Sequence, residues 1–245
     1  MHPRELLIDL FEVAVSAAHP DRCLPPHLPE FPRRGRLIVT GAGKAAAAMA
    51  SAATRFYGAE DGARLLGLVA TRHGWGTPNA LIEVVEAGHP VPDARSVAAA
   101  EAVLALARSA TADDHVLCLL SGGASALWTA PAAGVTLEGK QDLTRSLLRA
   151  GARISEINCV RKHLSRIKGG RLAAAAYPAR LLTLAISDVP GDDPATIGSG
   201  PTVADPTTLA DARDVLRRYA IVPRPEIAAA LERLENETLK PSAPE

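Results

Sequence analysis

The 245-residue sequence has no excess of charge of either sign, few cysteines and no long apolar run. Lys and Arg together number 27, as do Asp and Glu, so no single-sign field predicts binding to nucleic acid or to an anionic membrane surface. Cys23, Cys118 and Cys159 are far apart and lack C-x-x-C spacing, which argues against a zinc site or a disulfide framework. Reduced thiols favour a cytoplasmic location.

The N-terminus does not have the pattern of a targeting segment. Residues 1–20 lack the continuous apolar centre of a signal peptide and contain four charged residues, Arg4, Glu5, Asp9 and Glu12. This pattern predicts an amphipathic helix. Elsewhere no apolar run approaches the roughly 18 residues that a membrane-spanning helix requires, so no membrane partner is expected.

The most informative stretch is residues 36–49, which read RLIVTGAGKAAAAM. Residues 37–39 are strand formers without polar alternation, which predicts a strand buried on both faces, and the following alanines favour a helix. Gly41 and Gly43 permit a tight turn where a ligand approaches the backbone, and the free N–H groups of the helix would face that ligand. Lys44 adds a positive charge. The stretch predicts a phosphate-type turn, with a plain strand-to-helix connection as the alternative.

Two nucleotide-binding motifs can be compared with this turn. A Walker A loop, G-x-x-x-x-G-K-S/T, is excluded because it would need glycine at Ile38 and a hydroxyl at Ala45. The looser dinucleotide fingerprint G-x-G-x-x-G/A fits the two glycines and Ala46. That fingerprint also requires an acidic residue at the end of the second strand. The second strand is predicted at residues 65–70, and it is followed by TRH (71–73) instead. A cationic strand end suits a 2′-phosphate, so a nucleotide-dependent reductase stays open as an alternative.

A second strand, glycine turn and helix follow further along the chain. Strands are predicted at 81–87 and 116–120, and the latter runs directly into SGGASAL. The residues of this turn that can form an anion-binding nest with a hydroxyl beside it are Ser121, Gly122, Gly123 and Ser125. The alternative is an ordinary turn capped by its first serine. His89, after the 81–87 strand, can either touch substrate or bond to backbone. Because carboxyl ends of parallel strands meet at one edge, both turns predict a shared phosphate site.

Residues 138–175 are predicted to be mostly helical. The apolar stripe that should face the core is Ile157, Val160, Leu164 and Ile167. One position further round, Arg161 and Lys168 share a polar row with Ser165, and two cations there can grip a carboxylate or a phosphate. A solvated helix face is the alternative. The glycines at 169–170 predict the end of this helix.

The last predicted strand, residues 181–186, runs into the acidic loop SDVPGDDPATIGSGPT. Asp188, Asp192 and Asp193 are grouped there, and such carboxylates suit Mg²⁺, which takes one or two of them with water and substrate phosphates. The alternative is that they cap turns through backbone bonds. Residues 198–200 supply a third glycine-rich segment nearby.

The remainder predicts two helices and a tail. Asp205 is expected to cap the first helix, and a last helix runs from Pro225 to about Glu237. We therefore expect one α/β domain over residues 1–237 and the start of a linker over residues 238–245.

Five sequence blocks together resemble the glycerate 2-kinase family, whose members carry a MOFRL-type C-terminal domain after a DUF4147-like N-terminal one. The blocks, in the family's order, are GAGKA (41–45), GHPVPD (88–93), LLSGGASAL (119–127), INCVRKHLSRIKGGRLA (157–173) and SDVPGDDPATIGSGPT (187–202). The resemblance implies a three-layer α/β/α sandwich with a Rossmann-like, mostly parallel sheet. It also implies ATP- and Mg²⁺-dependent phosphorylation of D-glycerate to 2-phosphoglycerate, with Lys44 matching the family's catalytic lysine. Some members are labelled hydroxypyruvate reductase, which keeps the reductase alternative.

The sequence departs from the family in two ways. Ala124 stands where the family commonly has a third glycine, which places a methyl group where backbone would approach phosphate. The family's C-terminal domain, with its proposed catalytic arginine, is absent from these residues. We therefore expect the chain to supply one wall of the site and to be weakly active alone. The expected partners are glycerate, a separate C-terminal domain chain and a second copy of the chain.

Phosphoryl transfer is mostly positioning and charge neutralisation, which assigns roles to these residues. Lys44 would neutralise the transferred group, and Asp188 would orient the attacking hydroxyl. Asp188 and Asp193 would hold Mg²⁺, while Arg161 and Lys168 would bind the carboxylate. The predicted phosphate- or substrate-binding residues are Gly41, Gly43, His89, Ser121, Gly122, Gly123, Ser125, Arg161 and Lys168. A non-catalytic ligand-binding domain, or half of a split enzyme, is the third hypothesis.

Overall fold

The computed structural model describes residues 2–58 and 62–241 and contains a five-stranded sheet. The strands, in chain order, are β1 (Leu37–Ala42), β2 (Leu65–Arg72), β3 (Ile82–Ala87), β4 (His115–Ser121) and β5 (Arg180–Ile186). All neighbouring pairs are parallel, in the order β3-β2-β1-β4-β5. The predicted α/β fold is confirmed. The strand order reverses between β1 and β4, which is where open α/β sheets bind ligands.

Helices follow β1 and β3, β2 leads directly to β3, and a larger group of helices follows β4. Within the described residues they are, in chain order, α1 (Pro3–Ala17), α2 (Pro20–Cys23), α3 (Ala46–Tyr57), α4 (Ala94–Arg108), α5 (Ala124–Leu127), α6 (Leu137–Arg149), α7 (Ile154–His163), α8 (Arg171–Ala176), α9 (Leu209–Arg218) and α10 (Pro225–Glu232). Short 3₁₀ segments lie at Pro25–His27, Gly62–Arg64, Ile197–Ser199 and Leu234–Asn236.

The sheet lies between two helical layers because the side chains of its central strands alternate. On β1, Leu37 and Val39 pack with Met49 of α3. Ile38 and Ala42 point the other way and belong to the cluster that contains residues of α4 and α8. Every residue of β1 is buried, as predicted for a strand covered on both faces.

The helices α6, α7, α9 and α10 form a further apolar cluster beside the sheet. Three members of the predicted stripe, Ile157, Val160 and Leu164, are buried there, while the fourth, Ile167, belongs to the sheet core. This helical group places Lys140 of α6 near the turn that follows β4.

The helix predicted over residues 138–175 is three shorter helices. α7 ends at His163, well before the two glycines. Gly170 has a φ of +79° and stands at the start of α8, so the glycines precede a helix rather than end one, which corrects the prediction. Leu172 of α8 is then buried against the sheet.

One prediction about the last part of the chain is wrong. Thr208 caps α9, whereas Asp205 is buried and pairs with Lys162 at 3.2 Å. Thr238, at the start of the predicted linker, is buried, and its hydroxyl donates to Oδ2 of Asp205 at 3.1 Å. The boundary between the domain and a linker stays a prediction. Residues 242–245 of the predicted linker lie outside the described residues.

The predicted N-terminal helix is present as α1 and lies on the surface. None of its residues is buried, and Leu7 and Phe11 are 67% and 68% exposed. Neither α1 nor any other helix in the described part of the chain has the length and apolar character needed to cross a membrane.

Candidate functional site

Two glycine turns lie side by side at the carboxyl ends of β1 and β4. The Lys44 N–H donates to the Gly122 carbonyl at 2.8 Å, and the Ala45 N–H donates to Oγ of Ser121 at 3.0 Å. The structure thus brings together the two stretches that the sequence predicts at one ligand site. Oγ of Ser121 accepts this one backbone bond and keeps its own proton available as a donor.

Close packing explains why glycine stands at two positions of these turns. Gly43 has a φ of +139°, and a Cβ there would lie 2.1 Å from Oγ of Ser121. A Cβ on Gly122 would lie 2.0 Å from Oδ2 of Asp188. Gly41, in contrast, lies inside β1, because it continues the ladder with β4. The turn begins at Gly43, which corrects the position predicted for Gly41.

Lys44 reaches across the turns to the loop that follows β5. Its Nζ lies 3.7 Å from Oδ2 of Asp188, and both side chains are about half exposed, at 45% and 58%. An exposed pair at this distance contributes little to stability. Both groups are therefore available to a ligand, at the strand ends where sequence analysis predicted a catalytic lysine and carboxylate.

His89 lies next to the same turns. Its ring carbon Cδ2 and its Nε2 would each be 2.9 Å from a Cβ on Gly123, whose φ is +91°. Burial, followed by the positive charges of Lys44 and Arg72, lowers the pKa of His89, while the negative charge of Asp188 opposes this shift. His89 thus favours the neutral imidazole in this setting, which can accept or donate a hydrogen bond.

A cavity of about 320 Å³ adjoins the second glycine turn. Gly123, Ser125 and His89 line it on the sheet side, and α6 covers it. We call it the cation pocket, after three of its lining residues, Lys140, Arg161 and Lys168. Two of these were predicted to bind the substrate carboxylate.

Among the described residues, Lys140 and Lys168 have only backbone partners, and the Arg161 guanidinium has neither a hydrogen bond nor an ion pair. Nζ of Lys140 donates to the carbonyl of Leu164 at 2.7 Å and to that of Arg161 at 3.4 Å. Nζ of Lys168 donates to the carbonyl of Gly198, in the third glycine-rich segment, at 3.1 Å. No described carboxylate forms an ion pair with Lys140, Arg161 or Lys168. The pocket therefore holds positive charge without a matching negative group.

The lack of a negative partner lowers the pKa values of these three groups. Burial, with repulsion from Arg161, Arg171 and Arg166, lowers the pKa of Lys140 to about 7. Burial, with repulsion from Lys140 and Arg161, lowers the pKa of Lys168 well below its ordinary value. Burial also lowers the pKa of Arg161. An anion in the pocket would reverse these shifts, because an opposite charge favours the charged form.

The solvated-face alternative is wrong for the polar row. Lys168 is 1% exposed and Ser165 is fully buried. Lys140 is the residue that sequence reasoning missed. It shares the buried side of α6 with Leu143 and Leu147, at positions i, i+3 and i+7, so a lysine in an apolar stripe was the available signal.

The acidic loop behaves mostly as a turn. The Asp193 carboxylate accepts hydrogen bonds from the Ala195 N–H at 3.0 Å and from the Thr196 hydroxyl at 2.7 Å, which lower its pKa. Asp192 has a φ of +52°. The described residues contain no group of three or more His, Cys, Asp or Glu side chains arranged to hold a metal ion. The geometry of Asp193 favours capping, while Asp188 faces Lys44, and a metal role for either stays a prediction.

Ser125 connects the second glycine turn to the third glycine-rich segment. Its Oγ lies 3.0 Å from Oγ of Ser199, which in turn donates to Oδ1 of Asn158 at 3.2 Å. This chain of side chains positions the wall of the cation pocket.

The family model described as a domain of unknown function, DUF4147, matches residues 6–232. The chain belongs to this family. DUF4147 thus covers every candidate residue described above.

The relatives of this DUF4147 chain include proteins named as hydroxypyruvate reductases and proteins named as glycerate kinases. A protein of Agrobacterium vitis named “Putative hydroxypyruvate reductase” is 52% identical over 97% of this chain and 53% of its own length. The D-glycerate 2-kinase of Thermotoga maritima is 42% identical over 89% of this chain and 52% of its own length. A crystal structure of glycerate kinase from Thermotoga maritima superposes with a TM-score of 0.88 and 40% identity, covering 98% of this chain and 56% of that one. The chain spans about half the length of these relatives and is homologous to the N-terminal half of glycerate kinases.

Proposed function

We propose that this chain carries the N-terminal part of a glycerate kinase site and takes part in ATP-dependent phosphorylation of D-glycerate at the 2-hydroxyl. The observation that carries the proposal is the Lys44–Asp188 pair, 3.7 Å apart above two joined glycine turns and beside a pocket of uncompensated cations. The kinase names of relatives at 42% identity support it.

The residues present fit the phosphates of a nucleotide. The exposed ammonium of Lys44 stands beside the glycine turn that follows β4, and glycine there lets backbone N–H groups come close to phosphate oxygens. For Mg²⁺ the fit is through the exposed carboxylate of Asp188, since this ion is commonly held by one or two carboxylates with phosphates and water. When bound, ATP with Mg²⁺ supplies the phosphoryl group and neutralises part of its charge.

The cation pocket and the Lys44–Asp188 pair bind different parts of glycerate. The cation pocket binds the carboxylate through Lys140, Arg161 and Lys168 and so fixes the position of the hydroxyl. Asp188 accepts a hydrogen bond from that hydroxyl and orients it. Lys44 offsets the negative charge that develops on the transferred group. His89, neutral between the two ends, can hydrogen-bond the substrate.

A coupled assay for ADP release, run beside an assay for NADPH consumption, tests the proposal. The kinase function predicts ADP release that depends on both glycerate and Mg²⁺. It is rejected if ADP release is absent when this chain is combined with the second half of a relative and glycerate is supplied.

A hydroxypyruvate reductase is the second candidate, because the Agrobacterium vitis relative at 52% identity has that name. The end of β2 presents Arg72, whose guanidinium stacks on Trp75 at 3.9 Å, where a dinucleotide fold usually has an acidic residue. This function predicts hydroxypyruvate-dependent loss of NADPH absorbance without ADP release. A non-catalytic binding domain would instead show thermal stabilisation by ligand without turnover in either assay.

A further inference from the structure

When its three basic groups are all protonated, the cation pocket holds more positive charge than one carboxylate can neutralise. Lys140 and Lys168 are 6% and 1% exposed, and Arg161 is half-buried beside them. Buried charges are expensive unless they are paired, and no described carboxylate pairs with these three. A monoanion would leave most of this charge uncompensated.

The hydrogen-bond donors in the pocket also exceed the needs of a single carboxylate. Arg161 presents a planar fork of N–H groups for which no bond is found within the described residues, and such a fork matches two oxygens of a carboxylate or a phosphate. The two lysines each have further N–H groups besides those that meet carbonyls. A phosphate, or a second carboxylate, would provide the additional oxygen acceptors.

Other lining groups leave room for a second anionic group. Thr129 and Thr144 line the same cavity of about 320 Å³, and the Thr129 hydroxyl donates to the Ala126 carbonyl at 3.2 Å. Gln141 is held in place, because its Nε2 donates to the Pro92 carbonyl at 2.6 Å. Arg145, also at the wall, pairs with Asp142, which in turn pairs with Arg224. The lining therefore adds polar groups without adding a competing negative charge.

We propose that the cation pocket takes a doubly charged group, a phosphate monoester or a dicarboxylate, in preference to a single carboxylate. Small acids with two anionic groups would then bind more tightly than glycerate does. This inference rests on the proposed function, because it takes the pocket as the acid-binding end of the site.

Proton uptake is an independent signature of this arrangement. Lys140 has a pKa of about 7, so part of the population is neutral near that pH in the empty pocket. The charged groups around it from other elements are Arg161, Arg166, Lys168 and Arg171, and His89 lies at the opposite wall. All of these disfavour the protonated lysine when charged, whereas a dianion favours it. Binding of a dianion should therefore draw protons from the buffer.

Isothermal titration calorimetry with three probes tests the preference directly. Acetate, malonate and inorganic phosphate are titrated into the wild-type chain at pH 7.5 and constant ionic strength, in two buffers of different ionisation enthalpy. We expect malonate and phosphate to bind at least about tenfold more tightly than acetate. Proton uptake is expected for malonate, because phosphate loses a proton of its own when it binds as the dianion at this pH. The tighter of the two identifies the source, dicarboxylate or phosphate ester. Equal affinity for the three probes, or malonate binding without proton uptake, would overturn the proposal without touching the kinase assay.

Two matched variants test whether the preference for dianions arises in the cation pocket. Lys140→Met removes the charge from the pocket, while Arg149→Met removes a charge from an exposed position on the same helix. We expect Lys140→Met to reduce the dianion-to-acetate affinity ratio at least about fivefold and Arg149→Met to leave it unchanged. If both variants reduce the ratio equally, the preference comes from general surface charge and the pocket assignment fails.

Discussion

Nζ of Lys44 lies 3.7 Å from Oδ2 of Asp188, although the two residues are far apart in sequence. Lys44 follows the glycine turn after β1, and Asp188 follows β5, at the edge of the sheet. The strand between them, β4, ends in the turn that contains Gly122. The absence of a side chain at Gly122 is what allows the Asp188 carboxylate to lie there.

Lys44→Met and Asp188→Asn should each lower kcat for glycerate phosphorylation about 10²- to 10³-fold, because each removes a charge that meets the reacting groups. Thermal stability should change little, since both side chains are about half exposed. The measurement is the coupled ADP assay with the second half of a relative supplied, with Arg149→Met as the control for charge removal. Unchanged turnover in Lys44→Met would contradict the catalytic assignment.

Two glycine substitutions should separate function from stability. Gly122→Ala places a Cβ 2.0 Å from the movable Asp188 carboxylate, so we expect lost activity with a stability change below about 1 kcal/mol. Gly43→Ala meets the Ser121 backbone as well as its hydroxyl and has an unfavourable φ, so a loss of about 2 kcal/mol or more is expected. Urea unfolding measures both.

The control for these two variants is Gly62→Ala, whose Cβ would meet only Leu81 at an ordinary 3.6 Å. It should leave both activity and stability unchanged. If Gly122→Ala remains fully active, then Asp188 does not need its observed position, and its proposed role in orienting the hydroxyl is incorrect.

The stability of the chain should rise with pH through the titration of Lys140. Its pKa is about 7 in the folded chain against an ordinary 10.5, so between these values the unfolded state binds more protons. The free energy of unfolding should then increase with pH, by about 1 kcal/mol between roughly pH 6.5 and pH 8 from this group. Lys168 adds a contribution of the same sign.

Urea unfolding of the wild type and of Lys140→Met at the two pH values checks this. The difference between the two proteins isolates the lysine, because Cys118 and Cys159, whose pKa values burial raises, are common to both. We expect a shallower pH dependence in the variant. Identical slopes would show that Lys140 remains charged throughout.

The 245-residue chain, assayed by itself, should phosphorylate glycerate at a barely detectable rate. Lys44 and Asp188 are open to water, and charge interactions weaken in a high dielectric. Adding the second half of a glycerate kinase in trans should raise the rate. If the 245 residues alone turn over glycerate at about 1–100 s⁻¹, the ordinary kinase range, then the whole site lies within them.

Local sequence determined much of the scaffold. Unbroken apolar runs specified the central strands β1 and β4, because a strand covered on both faces tolerates no polar alternation. Asp93 caps α4 through a local hydrogen bond, because its side chain accepts the Ser96 N–H at 2.9 Å. The turn before Lys44 was identifiable because its glycine and alanine content limits what backbone can form there.

Tertiary structure alone decided the site's electrostatics. From the sequence, the polar row of Arg161 and Lys168 was compatible with a solvated helix face. In the structure α7 ends at His163, and Lys168, which lies beyond that end, is buried. Lys140 lies far from both in sequence and became their neighbour only through the packing of α6. Hydrogen bonds and periodicity act over a few residues, whereas burial and charge repulsion depend on every element nearby. For that reason the sequence indicated which residues carry charge, and the fold determined which of those charges go without a partner.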